Sequence, residues 1–278
     1  WLLNYYPAEW MAAFLDKEPE KRKEKAINVA KSFGFEIQPL DVNTSGTVWE
    51  ISEDGKTLIQ PLTSIKGLGE AAIAQILDNR PFETVEDFIF NENITYSKLN
   101  KKGLDVIIRS QAANCLVDER FSGLKHFWSS IVIDRPQNRK KFNEYIEVYE
   151  PEGEFSDEEK IEYLSSLTGM FPLNMVLNDE ARAKLERIQV PPISKFDPAL
   201  KLCWFIPREV TKRTSKNGRD YLVLNVIDDT SKATTVRCWN VRDNDTIRTN
   251  KPYMAKLNYD PNWGFSTYSI KKTMRLLV

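Results

Sequence analysis

The sequence predicts a multidomain α+β protein, mainly helical in its N-terminal half and ending in a small five-stranded β-barrel. Three observations carry this. Residues 7–33 and 64–116 repeat apolar side chains at helical spacing. Residues 201–278 instead alternate apolar and polar side chains over five short runs. Between them, about 121–200, aromatics are scattered among charges and then give way to charged helical patterns.

Each element has a local reason. "PAEWMAAFLD" sets Trp10, Met11, Phe14 and Leu15 on one helical face, and residues 19–33 repeat the pattern with Ala26, Ile27, Val29, Ala30 and Phe33 before Gly34 caps the end. "FEIQPLDVNTSG" reads as a short extended segment and a turn. "TVWEISEDGKTLIQPL" alternates on both sides of Asp54-Gly55, a hairpin signal. Thr84 with Asp87 predicts a helix N-cap, and "LNKKGLDVIIRSQA" supplies Leu104, Ile107 and Ile108 for a buried face. Ser156 and Glu159 form a capping box, "NDEARAKLERI" is a further helix, and "VPPISKFDP" reads as a linker. The last five runs are "KLCWFIPREVTKRT", "RDYLVLNVIDD", "ATTVRCWNV", "PYMAKLNYD" and "GFSTYSI", the first two joined at Asn217-Gly218. Five short strands in under eighty residues suggest the OB-fold, the common barrel of that size.

The composition bounds function rather than naming it. The 278 residues are 41% hydrophobic and carry 39 Lys and Arg against 40 Asp and Glu, so only local charge patterning can point to a polyanion. Residues 144–162 hold nine carboxylates against Lys160, whereas Arg208, Lys212, Arg213, Lys216 and Arg219 crowd together with only Glu209 opposing. Cys115, Cys203 and Cys238 show no paired spacing, so neither zinc nor a disulfide framework is suggested, and a reducing compartment fits. No apolar run approaches the ~20 residues of a membrane span. The opening "WLLNYYPAEW" is already helical and aromatic, which reads as the interior of something longer.

Chemistry concentrates at "IKGLGEAA". Gly67 and Gly69 are two apart, and the second immediately precedes a helix of Ala71, Ala72, Ile73, Ala74, Ile76 and Leu77. Free backbone N–H groups and a positive helix end then meet at a turn with no Cβ to block approach, so a phosphate could be held without any base being read. This is the pattern of a helix-hairpin-helix: a short helix from Leu62 to Lys66, the turn Gly67-Leu68-Gly69, and a second helix. An ordinary turn between packed helices would use the same glycines.

Taken in order, "YYPAEWMAAFLDKE", "AKSFGFEIQPLDVNTSG", "LIQPLTSIKGLGEAAIAQILDNRPFETVEDF" and "LNKKGLDVIIRSQA" resemble the C-terminal part of the catalytic alpha subunit of bacterial DNA polymerase III, the C-family of replicative polymerases. The resemblance is strong over residues 1–120. It fades through "SDEEKIEYLSSLTGMFPLNMVLNDEARAKLERI", where Gly169-Met170-Phe171-Pro172-Leu173 is a shortened form of a family string and lacks its histidine. It implies four parts: the end of the polymerase fingers at 1–48, a tandem helix-hairpin-helix at 49–120, a helical connector at 121–200 and an OB-fold at 201–278. It further implies that the hairpins hold primer-template duplex, that the OB-fold lies near single-stranded template, and that upstream palm and fingers are partners. In place of the family's Ala-Gly-Ala at the second hairpin stands Ser110-Gln111-Ala112, and Gln111 adopts positive φ less cheaply than glycine. The divergence suggests a phage-encoded or remote member, and the location implied is the bacterial cytoplasm or a phage-infected cell.

The candidate DNA-binding residues are Lys66, Gly67, Leu68 and Gly69 in the hairpin, and Arg208, Lys212, Arg213, Lys216, Arg219, Tyr221 and Trp239 in the barrel. Cations there would track a strand and aromatics would stack on bases. Alternation sends some of Trp204, Tyr221 and Trp239 into the core, and the cations could equally form a solvated hairpin. "RPQNRKK" at 135–141 reads as an exposed basic patch that could touch phosphate. "LKHFWSSI" at 124–131 is the nearest approach to a sliding-clamp peptide, although packed aromatics read the same way. His126 has no companion for metal or catalysis. No Asp-x-Asp in an apolar strand suits two-metal chemistry, and Asp228-Asp229 reads as turn chemistry. The segment alone is therefore expected not to polymerise DNA; no catalytic or metal-binding residue is assigned and no cofactor is expected in it, magnesium being implied for the complete polymerase. A rival class is a stand-alone helix-hairpin-helix and OB protein that binds DNA or a replication partner without polymerase activity.

Overall fold

The computed structural model describes residues 1–230, 232–242 and 245–277, with the Lys21 side chain also set aside. Two compact units divide it, Trp1–Phe171 and Pro172–Val278, so the connector expected at 121–200 is split between them.

The first unit has two cores. In the smaller, helices Pro7–Lys17 and Lys23–Ser32 bury Met11, Leu15, Ile27 and Ala30 together with Trp49 and Leu58. Leu58 belongs to a three-stranded sheet of β1 (Glu36–Gln38), β2 (Glu50–Ile51) and β3 (Thr57–Ile59), with β3 central, parallel to β1 and antiparallel to β2. The β2–β3 turn is the expected one: Gly55 has φ +66°, and the Asp54 carboxylate accepts from the Lys56 and Thr57 amides and the Ser52 and Thr57 hydroxyls. Those bonds hold Asp54 well below the usual carboxylate range, led by the one from Ser52.

The larger core joins helices Glu70–Asn79, Val85–Ile89 and Lys101–Arg109 to the segment after them, through Ile76, Phe88, Ile107, Phe127 and Phe142. Thr84 and Asp87 form the expected cap, and it is a full capping box; Ser156 and Glu159 do the same for helix Asp157–Thr168. "LKHFWSSI" is part of this core. Leu124, His126 and Phe127 are buried, and the helix Leu124–Trp128 runs into a π-helical turn at Ser129–Ile133. His126 accepts from the Ser122 amide on Nδ1 at 2.9 Å and meets the Ile146 carbonyl on Nε2 at 2.7 Å, which uses both ring nitrogens structurally.

The second unit is a curled seven-stranded sheet with short helices. Its strands are β4 (Leu202–Thr214), β5 (Asp220–Ile227), β6 (Thr234–Cys238), β7 (Tyr253–Lys256), β8 (Asn258–Asp260), β9 (Gly264–Thr267) and β10 (Met274–Leu276), ordered β10-β7-β4-β5-β6-β9-β8. The fold class holds, but the strand count rises from five to seven. "PYMAKLNYD" breaks at Leu257, which is buried and whose amide turns to the Lys201 carbonyl, and "MRL" adds an edge strand against β7 that was not expected. Among the described residues no ladder joins β10 to β8. "VPPISKFDP" is not a free linker: Ile193 packs into the sheet core and Pro192 bridges to Trp204. Asp228 is turn chemistry as expected, accepting from the Ser194 and Thr230 amides and the Thr230 hydroxyl.

Candidate nucleic-acid interface

The hairpin is built tighter than its sequence suggests. Instead of a helix from Leu62 to Lys66 there is one 3-10 turn, Leu62–Ser64, which follows the extended Pro61 and ends where Ile65 turns extended, two residues before Gly67 at φ +89°. Leu62 and Ile65 are buried in the larger core and fasten the turn. The Lys66 amide donates to the Leu167 carbonyl at 2.8 Å and the Leu68 amide to Ile65 at 3.2 Å, so neither is available to a ligand. The Leu68 side chain packs against the core and anchors the loop.

What remains open is the other half of the turn. Gly69 is the N-cap of helix Glu70–Asn79, in extended backbone, and no side chain caps that helix. The amides of Gly67, Gly69, Glu70 and Ala71 have no acceptor among the described residues, and all four residues are exposed. A first turn with unsatisfied donors carries positive potential at its surface. The two glycines have different reasons. Gly67 needs its positive φ, while a Cβ on Gly69 would meet nothing within 4 Å, so only something outside the chain would feel it.

Two cations flank the open amides. Lys66 pairs with Glu20 at 3.1 Å with both side chains about two-thirds exposed, a contact of little stability that solvent or a phosphate can replace. Sequence reading missed the second. Lys102, exposed at the start of helix Lys101–Arg109, lies over Gly67, its Cε 3.5 Å from where a Cβ would stand. Thirty-five positions of sequence separate them, so only tertiary packing reveals the pairing.

At the second turn, Gln111 does adopt the left-handed conformation, at φ +65°. Its own amide is bonded to Ile108, that of Ala112 to Ile107, and the Ala112 carbonyl accepts from Val42. Ser110, Ala112 and Ala113 are buried. This turn closes on its own core.

On the sheet, alternation divides the residues of the basic strand pair. Leu222, Leu224 and Val226 of β5 enter the core, so Tyr221, Val223 and Asn225 face the other way. Register pairs Arg213 with Tyr221 and Leu222 with Cys238, which brings Trp239 to the same face beside Tyr221. Their rings stack at 4.5 Å and 28°, both partly exposed, whereas Trp204 is buried. Tyr268 follows the inward Thr267 in alternation and is 60% exposed next along that face. The spacing of "GFSTYSI" already held that signal. Arg213, Lys216 and Arg219 are exposed around the Asn217-Gly218 turn. Lys212 pairs with Asp220 at 2.8 Å, a bond that also draws the Asp220 carboxyl below its ordinary range, and Arg208 donates to Asn250, so these two are partly engaged.

Among the described residues no three His, Cys, Asp or Glu side chains gather as metal ligands, and the Asp228 oxygens are already occupied by hydrogen bonds. The donor set present does not fit the magnesium pair of a polymerase. Burial pushes the Cys203 and Cys238 thiols up to about 12 and Cys115 to about 11. No helix among the described residues is long and apolar enough to cross a membrane.

The hairpin, with its uncapped helix start behind a positive-φ glycine, lies within residues 34–123, which match the family model for the helix-hairpin-helix motif. The particular likeness is to DNA polymerase III subunit alpha. The chain is 31% identical to that of Pseudomonas fluorescens over 121 residues, 42% of this chain and 10% of the relative. It is 28% identical to that of Helicobacter pylori over 159 residues, 53% and 13% of the two chains, and 29% identical to that of Chlamydia muridarum over 116 residues, 40% and 9%. The alpha-subunit resemblance read from the sequence therefore stands over about half of this chain, which covers about a tenth of the length of these relatives.

Proposed function

We propose that this chain is a DNA-binding portion of a C-family DNA polymerase, contributing grip rather than chemistry. Duplex is held at the unbonded Gly67, Gly69, Glu70 and Ala71 amides, with Lys66 and Lys102 supplying charge beside them. Contacts of this kind go to phosphate and carry no sequence information. The Tyr221–Trp239 stack on the outward sheet face, with Arg213, Lys216 and Arg219 near it, takes unpaired template: rings offer stacking surface to any base, and the cations follow the strand. Polymerisation, its magnesium and the cytoplasmic setting belong in this reading to the complete polymerase, whose palm and fingers are the chain's partners. A sliding clamp would have to dock elsewhere than "LKHFWSSI", whose Leu124, His126 and Phe127 are buried.

The observation that carries the reading is the exposed, uncapped helix start at Gly69 with open space where its Cβ would be. Fluorescence anisotropy with labelled primer-template tests it. Gly69→Leu should weaken duplex binding about tenfold or more while far-UV circular dichroism is unchanged, and affinity should fall steeply between ~50 and ~200 mM salt as counterions are released. Salt-independent binding, or a silent Gly69→Leu, would refute the hairpin as the grip.

A further inference from the structure

The hairpin is not the end of the positive surface around it. Lys102, over Gly67, is followed back along the chain by Lys101, whose Nζ donates to the Ile133 carbonyl at 2.9 Å. Two residues beyond Ile133, Arg135 donates to the Leu99 carbonyl at 2.7 Å and lies over the exposed Tyr96 ring at 4.7 Å. These cross-bonds tie residues 96–101 to residues 133 and 135, and Lys98, Lys101, Lys102, Arg135, Arg139 and Lys140 all lie on or within a few residues of the joined segments, with Asp134 the acid beside Arg135. None of the six forms an ion pair among the described residues, and all but the half-buried Arg135 are exposed.

The placement of charge along helix Arg139–Tyr149 shows that helix stability did not set it. Its first turn holds Arg139, Lys140 and Lys141 and no acid; its last turn holds Glu147 and no base, and Glu150 and Glu152 follow. The macrodipole favours the reverse at both ends. Lys141 is offset by Glu144 at 2.6 Å, but Arg139 and Lys140 remain. One end of the helix therefore attracts a polyanion and the other, about 16 Å away at 1.5 Å per residue, repels it.

We propose that this surface, from Lys102 through Lys98 and Arg135 to Arg139 and Lys140, is a second duplex-backbone contact that continues the track begun at the hairpin. It rests on the hairpin reading above. The partner is the phosphate backbone of double-stranded DNA. The acidic far end of helix Arg139–Tyr149 confines the duplex to the near end, so the surface orients the DNA as well as adding charge. Arg135 and Tyr96 serve as a rigid post between the two cation groups, because both the guanidinium and the ring are held by the same contact.

The triple variant Lys98→Gln/Arg139→Gln/Lys140→Gln of the whole chain tests this, against duplexes of about 6 and about 18 base pairs at ~3.4 Å per pair. The longer duplex should bind about tenfold more weakly, with the slope of log affinity against log salt reduced by roughly two to three, while the shorter one is unchanged. Because two of the three cations oppose the helix dipole, the melting temperature should hold or rise, which separates lost contacts from lost folding. Affinity for the longer duplex within twofold of the parent, or an equal loss on both lengths, overturns the proposal. So does a poly-glutamate peptide that binds the parent as tightly as the longer duplex and loses affinity in the variant. A silent Gly69→Leu beside a length-dependent loss in the triple variant would fault the hairpin alone and leave this surface as a duplex contact.

Discussion

The two turns at Gly67 and Gln111 share a backbone sign and little else. Both enter the left-handed region, at +89° and +65°, and both precede a change of direction in a helical segment. Beyond Gly67 the residues Gly69, Glu70 and Ala71 are exposed and their amides unused; at Gln111 its own amide and that of Ala112 are bonded, and Ser110, Ala112 and Ala113 are buried. A left-handed residue therefore marks where the chain bends, and the fate of the next few N–H groups decides whether that bend can hold an anion. Glutamine at the second turn is tolerated because the core over-determines the conformation.

The largest way to break the comparison is Gly67→Val. A β-branched residue at φ +89° is strained by about 1–3 kcal/mol, although its Cβ would meet Lys102 and Val106 only at ordinary contact distance. Differential scanning calorimetry should show the first unit melting several degrees lower, at ~2–4 °C per kcal/mol for a unit of that size. Duplex affinity should fall more than tenfold with it. A variant that melts lower yet binds normally would show that the turn only positions the chain.

Gly69→Ser separates the two roles. Its φ of −79° suits serine, whose hydroxyl can accept from the first-turn amides and stabilise the helix by about 0.5–1 kcal/mol. The same hydroxyl occupies the donors a phosphate would need. The expectation is a higher melting temperature with affinity several-fold lower, and a rise in both would remove the amides from the interface. At the other turn, Gln111→Gly should relieve about 1–2 kcal/mol of left-handed strain, less the ~0.4–1 kcal/mol that glycine adds to the unfolded chain's entropy. A small stabilisation with unchanged duplex affinity is expected; a change in affinity would mean that the second turn also touches DNA.

How much of this could be read from the sequence follows the range of the interactions. The Thr84 and Ser156 caps, the Asp54-Gly55 hairpin and the Gly67 turn are local, and local chemistry was enough to place them. The helix expected at 62–66 is two residues shorter because Ile65 turns extended, which the apolar spacing of Leu62 and Ile65 does not reveal. Lys102 lies 35 positions from Gly67, and the Lys66 amide is taken up by Leu167 a hundred residues later, so neither contact is visible in local sequence. In the curled sheet, alternation marks the faces of β5 and β6, whereas residues 203–207 of β4 are buried without alternation and "PYMAKLNYD" looks continuous although Leu257 packs inward.

Glu70 supplies the smallest and sharpest test of what the first turn is for. It is the sole acid in that turn, it is exposed, and the dipole makes it a stabilising residue by about 0.3–1 kcal/mol when the helix stands alone. A phosphate arriving at the same amides would find that carboxylate close by. Two unit charges ~6 Å apart in water repel by about 0.7 kcal/mol before salt screening, which corresponds to about a threefold change in affinity. Glu70→Gln should therefore lower the melting temperature slightly while raising duplex affinity two- to threefold at low salt, with the gain shrinking as salt is added. Opposite signs on stability and binding are expected only if the anion sits at the helix start; if both fall together, Glu70 only stabilises the first turn of an ordinary helix and Gly69 is open for some other reason.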